Sequence, residues 1–183
     1  MSKELKLIHA NQAIKLINNF CDVNSIPKPK ITLIEYKGDC RGSYSVVYKD
    51  IKVWLHSCSH IGKGGPAWSY PGYVIDATPY GVICHEFGHY LDFASNNTLS
   101  KDLFYLCKEH PVTGYNPNKQ EFFAEHFRVF ITNPDFYKNF RPKSYQFLIK
   151  KFTPVITESW EQVLSSAPAR TIAMARKKLL NSN

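Results

Sequence analysis

The sequence predicts an α+β fold with a small mixed sheet, and three observations carry that prediction. Three runs rich in β-branched and aromatic residues, 31–36, 43–48 and 51–56, read as strands. They lead into an apolar helical run that holds His85-Glu86-Phe87-Gly88-His89. A second helix further on presents Glu121 and Glu125 four residues apart, on one face. With 183 residues, 44% of them hydrophobic, the chain suffices for one core, so residues 1–183 are read as a single domain. Its 12 Phe, 11 Tyr and 3 Trp exclude a disordered chain.

In chain order, Leu7, Ala10, Ile14, Ile17 and Cys21 recur at spacings of three and four. That period gives an amphipathic helix within residues 1–25, followed by an extended linker at Pro27 and Pro29. The first two strands flank a turn at 37–42, and the last two flank Lys49-Asp50. Gly62, Gly64, Gly65 and Pro66 preclude regular structure across 57–72. Trp68 and Tyr70 make that stretch either a flap over a substrate or a loop pinned to the core. Residues 73–76 read as a short strand. Thr78-Pro79 then supplies a hydroxyl N-cap with proline at the first helical position, opening a helix to about Asn96. Gly88 costs this helix about 1 kcal/mol relative to alanine, so a close neighbour is expected there. Residues 99–110 form another helix with Ser100 as its cap, ended by His110-Pro111. Residues 119–131 are strongly helical, and Asn133-Pro134 closes that helix. From 128 to 183 the chain reads as short basic helices, including 142–148, the surroundings of Trp160, and 173–180.

Charge is unevenly placed. Residues 1–127 carry 13 Lys/Arg against 12 Asp/Glu, a difference of +1, whereas residues 128–183 carry 10 against 3, or +7. A basic C-terminal third suits nucleic acid, a membrane surface or an acidic protein, and equally a solvated face; charge selects none of these. No apolar run approaches the roughly 20 residues of a membrane span. The N-terminus, Met1-Ser2-Lys3-Glu4-Leu5-Lys6, has no apolar signal core, so the expected compartment is cytoplasmic, of its own or a host cell. Cys21, Cys40, Cys58, Cys84 and Cys107 are odd in number and form no CxxC pair, as expected of reduced thiols.

The chemistry centres on His85 and His89. Four residues apart on a helix, two imidazoles lie about 6 Å apart on one face and can bind one zinc ion. Glu86 between them is placed to act as general base on a water. Asp92, seven residues after His85, returns to the same face and is a candidate to orient a ligand. Catalytic zinc takes a third protein ligand. The pattern HExxHxxGxxH does not continue here, because Asp92 and Ser95 stand at those positions. Glu121 and Glu125 are the remaining acidic candidates, and their pairing suggests one ligand and one carboxylate behind it. His60 is a lesser candidate.

His85-Glu86-Phe87-Gly88-His89 followed by Asp92, then Tyr115, then Glu121-Phe122-Phe123-Ala124-Glu125 with Phe127-Arg128, resembles the anthrax lethal factor-like zinc metallopeptidases, to which the bacterial Pro-Pro endopeptidases are related. The segment Pro142-Lys143-Ser144-Tyr145-Gln146-Phe147 extends the resemblance, which covers about residues 80–150. It implies a zincin-like fold and a zinc-dependent endopeptidase acting on peptides or proteins, a toxin or effector among the candidates. It also implies Glu121 as third ligand, Glu125 behind the ligands, and a Tyr115 hydroxyl that serves the transition state. Two other readings accompany it: a DNA-associated protease of the SprT type, and a zinc-bound domain that binds a partner without turnover. Against the former, the chain has no zinc ribbon.

Overall fold

Ser2 opens the first helix, α1 (Lys3–Asn24), its hydroxyl accepting from the Leu5 N–H at 3.2 Å. The helix ends at Ser25, which turns left-handed at φ 52°. Its buried stripe of Ala10, Ala13, Leu16, Ile17, Phe20 and Cys21 is the one its sequence period calls for. The structure is a computed structural model, and it describes residues 2–59, 76–115, 118–155 and 159–166 with the single positions 169 and 173.

The sheet has three strands, β1 (Lys30–Ile34), β2 (Gly42–Ser45) and β3 (Asp50–Trp54), in the order β1-β3-β2. β3 is central, parallel to β1 and antiparallel to β2, so the sheet is mixed. Ile51 and Val53 of β3 face the core. Each strand is shorter than its sequence run. Val46, Val47 and Tyr48, expected at the end of the second strand, leave the ladder as an exposed turn into β3. The flap-or-loop alternative for 57–72 and the strand at 73–76 fall outside the described residues except at their ends, where Asp76 lies in a turn.

Helix α2 (Pro79–Ala94) starts as expected: Thr78 Oγ1 accepts from the Gly81 N–H at 3.3 Å, with Pro79 in the first turn. Phe87 on α2 meets Phe20 of α1 edge-on at 5.9 Å between centroids. After α2 the chain makes a short α3 (Thr98–Asp102) that continues as a π-helical turn, Leu103–Cys107. Ser100 does not cap this helix; it lies buried within it, and the Asp92 carboxylate of α2 accepts its N–H at 2.8 Å. A side chain from the preceding helix thus does the work assigned to a local hydroxyl.

Helix α4 (Lys119–Thr132) is capped by Asn118, whose side-chain oxygen accepts from the Glu121 N–H at 2.9 Å. Asn133 ends α4 and also caps α5 (Pro134–Phe140). Next come α6 (Pro142–Ile149) and α7 (Ser159–Ser165), as the reading of short C-terminal helices expected. The run at 173–180 lies outside the described residues except for Ala173. All five cysteines are free, four of them buried.

Two buried histidines make the fold acid-sensitive. His9 of α1 bonds Ser166 Oγ, just past the end of α7, at 3.0 Å, and burial pushes its pKa down to about 4. His126 accepts from the Tyr137 hydroxyl at 2.6 Å, and burial pushes it to about 3. Both are depressed, so the unfolded chain binds more protons and stability falls as pH drops from 6.5 towards those values. Each is expected to cost on the order of 1–2 kcal/mol between about pH 7 and 5. Urea midpoints at the two pH values measure it, and His9→Gln should remove its own share of the loss.

Candidate metal centre

Two helices build the site, and the contact between them is set by the smallest residues available. A Cβ placed on Gly88 would lie 2.8 Å from Ala124 Cα, so only glycine lets α2 and α4 approach this closely. The close neighbour expected from the sequence is therefore Ala124. Gly88→Val is expected to wedge the helices apart, costing about 2–3 kcal/mol of stability and weakening metal binding together. A urea melt and a metal titration of one sample check both.

That approach brings three donor atoms together. His85 Nε2 and His89 Nε2 are 3.1 Å apart, and Glu121 Oε2 lies 3.0 Å from the first and 3.4 Å from the second. Zinc bound to nitrogen and oxygen at about 2.0–2.1 Å in a tetrahedron separates its ligands by about 3.3 Å, so this triangle has the size of one tetrahedral face. Glu121 Oε2 is buried, with both imidazoles beside it. His85, His89 and Glu121 form a group that can hold a metal ion.

Glu125 stands behind it. Its Oε1 contacts His85 Nδ1 at 2.6 Å, and its Oε2 accepts from Arg128 Nη2 at 2.7 Å. Burial alone would raise the Glu125 pKa, but Arg128 and His85 hold it well below the usual carboxylate range. Glu121 is likewise penalised by burial, yet its histidine contacts bring it to about 2. Burial would lower His85, but hydrogen bonding to Glu121 and Glu125 outweighs this and carries it to about 10.

Glu86, in the same cleft, meets β2. Burial raises its pKa, against the pull of His85, His89 and the Tyr44 backbone N–H. A Cβ on Gly42 would lie 2.8 Å from Glu86 Oε1 and 2.5 Å from Val82 Cγ1, so glycine there leaves room for the carboxylate. Tyr115 is also in the site, its ring 6.2 Å from that of His85. Burial, then the carboxylates of Glu121, Glu86 and Glu125, raises the phenol and keeps it protonated. Around these residues runs a cleft of about 1050 Å³, walled by β2, the loop before it, α2 and the start of α4.

Asp92 lines the cleft too, but its Oδ1 is used on Ser100, and neither imidazole bonds to it among the described residues. His60 falls outside those residues. Sequence reasoning gave no role to Arg128, Gly42 or Ala124. Arg128 had a signal: a cation three residues after Glu125 shares its helix face. Gly42 and Ala124 act through contacts far apart in sequence, which no local pattern reports. No protein-family model matches the chain, and searches of curated proteins and of solved structures return no significant match.

Proposed function

We propose that this protein is a zinc-dependent endopeptidase of zincin-like fold, similar in its site to lethal factor. The observation that carries the proposal is the His85–His89–Glu121 triangle with a buried carboxylate, Glu86, from the same helix beside it in an open cleft. Zinc, when bound there, supplies Lewis acidity that polarises a carbonyl and brings the pKa of water towards about 7. The chain's own residues do the rest. His85, His89 and Glu121 hold the ion, and Glu125, itself clamped by Arg128, keeps His85 in the tautomer that leaves Nε2 free for it.

Glu86 accepts the proton of the attacking water and returns it to the leaving amine. Its raised pKa suits that exchange better than an ordinary carboxylate would. The protonated Tyr115 hydroxyl donates to the oxygen that gains negative charge. β2 is an edge strand among the described residues and lines the cleft, so an extended peptide can add to it through backbone hydrogen bonds.

Cleavage of a peptide library, proline-containing members included, with and without a chelator tests the proposal. Cleavage that stops on chelation and returns with zinc is expected. Stoichiometric zinc with no peptide cleaved overturns it in favour of a partner-binding domain, and DNA-stimulated, salt-sensitive cleavage favours the SprT-type reading.

A further inference from the structure

A second surface lies away from the metal donors. The π-helical turn Leu103–Cys107 buries its two ends and exposes its middle, with Phe104 41%, Tyr105 55% and Leu106 70% accessible. Three consecutive large apolar residues exposed on one turn are unusual for a surface without a partner. Beside them, Leu106, Cys107, Pro142 and Phe147 form an open groove of about 470 Å³, with Lys143, Gln146 and Lys150 also lining it.

The two charged side chains that line this groove are both lysines. Lys143 and Lys150 line it, Lys151 sits over the Phe147 ring at 5.8 Å, and Lys119 sits over the Tyr105 ring at 4.4 Å. Glu109, the nearby carboxylate, is engaged in accepting the Lys143 and Ser144 N–H groups at the start of α6, at 3.1 and 2.8 Å. Asp102 is the other acid on the adjoining segment. Lys143 in the first turn of α6 and Lys150, the residue that ends it, are seven residues apart, about 10.5 Å along the helix axis, and both line the groove. In a polyproline II peptide, residues i and i+3 lie on one side about 9 Å apart, so two carboxylates at that spacing match the lysines. An apolar residue between them would reach Leu106 and Phe147.

The surface also adjoins the cleft. Lys119, packed on Tyr105, precedes Gln120 and Glu121, both of which line the metal cleft. We infer that the groove between the π-helical turn and α6 is a docking site for an acidic peptide segment. In that segment, of polyproline II conformation, a large apolar side chain is flanked by two carboxylates about 9 Å apart. Resting on the endopeptidase reading, the segment belongs to the substrate, outside the part that enters the cleft. The docking itself needs neither zinc nor Glu86.

Fluorescence anisotropy of a labelled peptide containing Glu-Leu-Phe-Glu tests this, using the full chain with chelator present. Saturable binding is expected, weakened about tenfold by Leu106→Glu and similarly by Lys143→Glu with Lys150→Glu, and reduced by salt. The peptides Glu-Ala-Ala-Glu and Lys-Leu-Phe-Lys should bind much less. Leu106 and the two lysines are exposed or line an open groove, so circular dichroism of the variants should match the parent. No binding of the acidic peptide, or binding unchanged in the variants, overturns the inference. So does binding only to phosphatidylserine vesicles, which would make the surface a membrane contact. A positive result in a chain that cleaves nothing would refute the endopeptidase reading and leave the docking site standing.

Discussion

Glu86→Gln is expected to lower kcat by about 10³-fold while zinc stoichiometry stays at that of the parent. The amide is nearly isosteric, so it still fits between Val82 and the space that Gly42 leaves open. What it loses is the ability to take a proton. None of the three converging donor atoms belongs to Glu86, so the metal should remain. Metal analysis and turnover of the same preparation give both numbers, and full activity in the variant would refute the role of base. Tyr115→Phe provides the contrast. It removes one donor to the developing charge, so kcat should fall by about 10²-fold with KM little changed.

The legible parts of this protein were those whose physics is local. Thr78-Pro79 announced α2, the stripe from Ala10 to Cys21 announced α1, and the spacing of His85 and His89 announced a metal face. Each depends on residues within one or two turns of each other. Ser100 was misread because the group that satisfies its N–H, the Asp92 carboxylate, comes from another helix. The second strand was drawn too long for a related reason. Val46, Val47 and Tyr48 have strand-forming side chains, yet the chain must reverse there to bring β3 between β1 and β2. The pairing of Glu121 with Glu125 suggests that one of them reaches the histidines, and only the resemblance singles out Glu121. Physically it depends on Gly88 meeting Ala124, a contact of two small residues 36 positions apart (124 − 88) that carries no periodic signal. Arg128 is the clearest omission. A buried guanidinium looks like one more charge in a basic sequence until its partner is seen.

Glu121 and Glu125 should fail in different ways when replaced. Glu121→Ala removes one donor of the triangle and is expected to weaken zinc by more than about 10³-fold, while the metal-free fold changes little. The carboxylate there is partly exposed and, besides its histidine contacts, carries no buried cation. Glu125→Ala leaves all three donors in place, so zinc affinity should drop by only about 10–100-fold, through loss of the bond that orients His85. Its larger cost is to the fold. Arg128 is 1% exposed and paired to Glu125, and stranding a buried charge costs about 3–5 kcal/mol. Chelator competition ranks the two variants by metal affinity, and urea denaturation of the metal-free forms ranks them by stability; the two orders are expected to be opposite. If Glu125→Ala loses the metal while Glu121→Ala keeps it, the assignments of ligand and support must be exchanged. Adding Arg128→Met to Glu125→Ala separates the effects further, because removing both charges should restore much of the stability and none of the lost affinity.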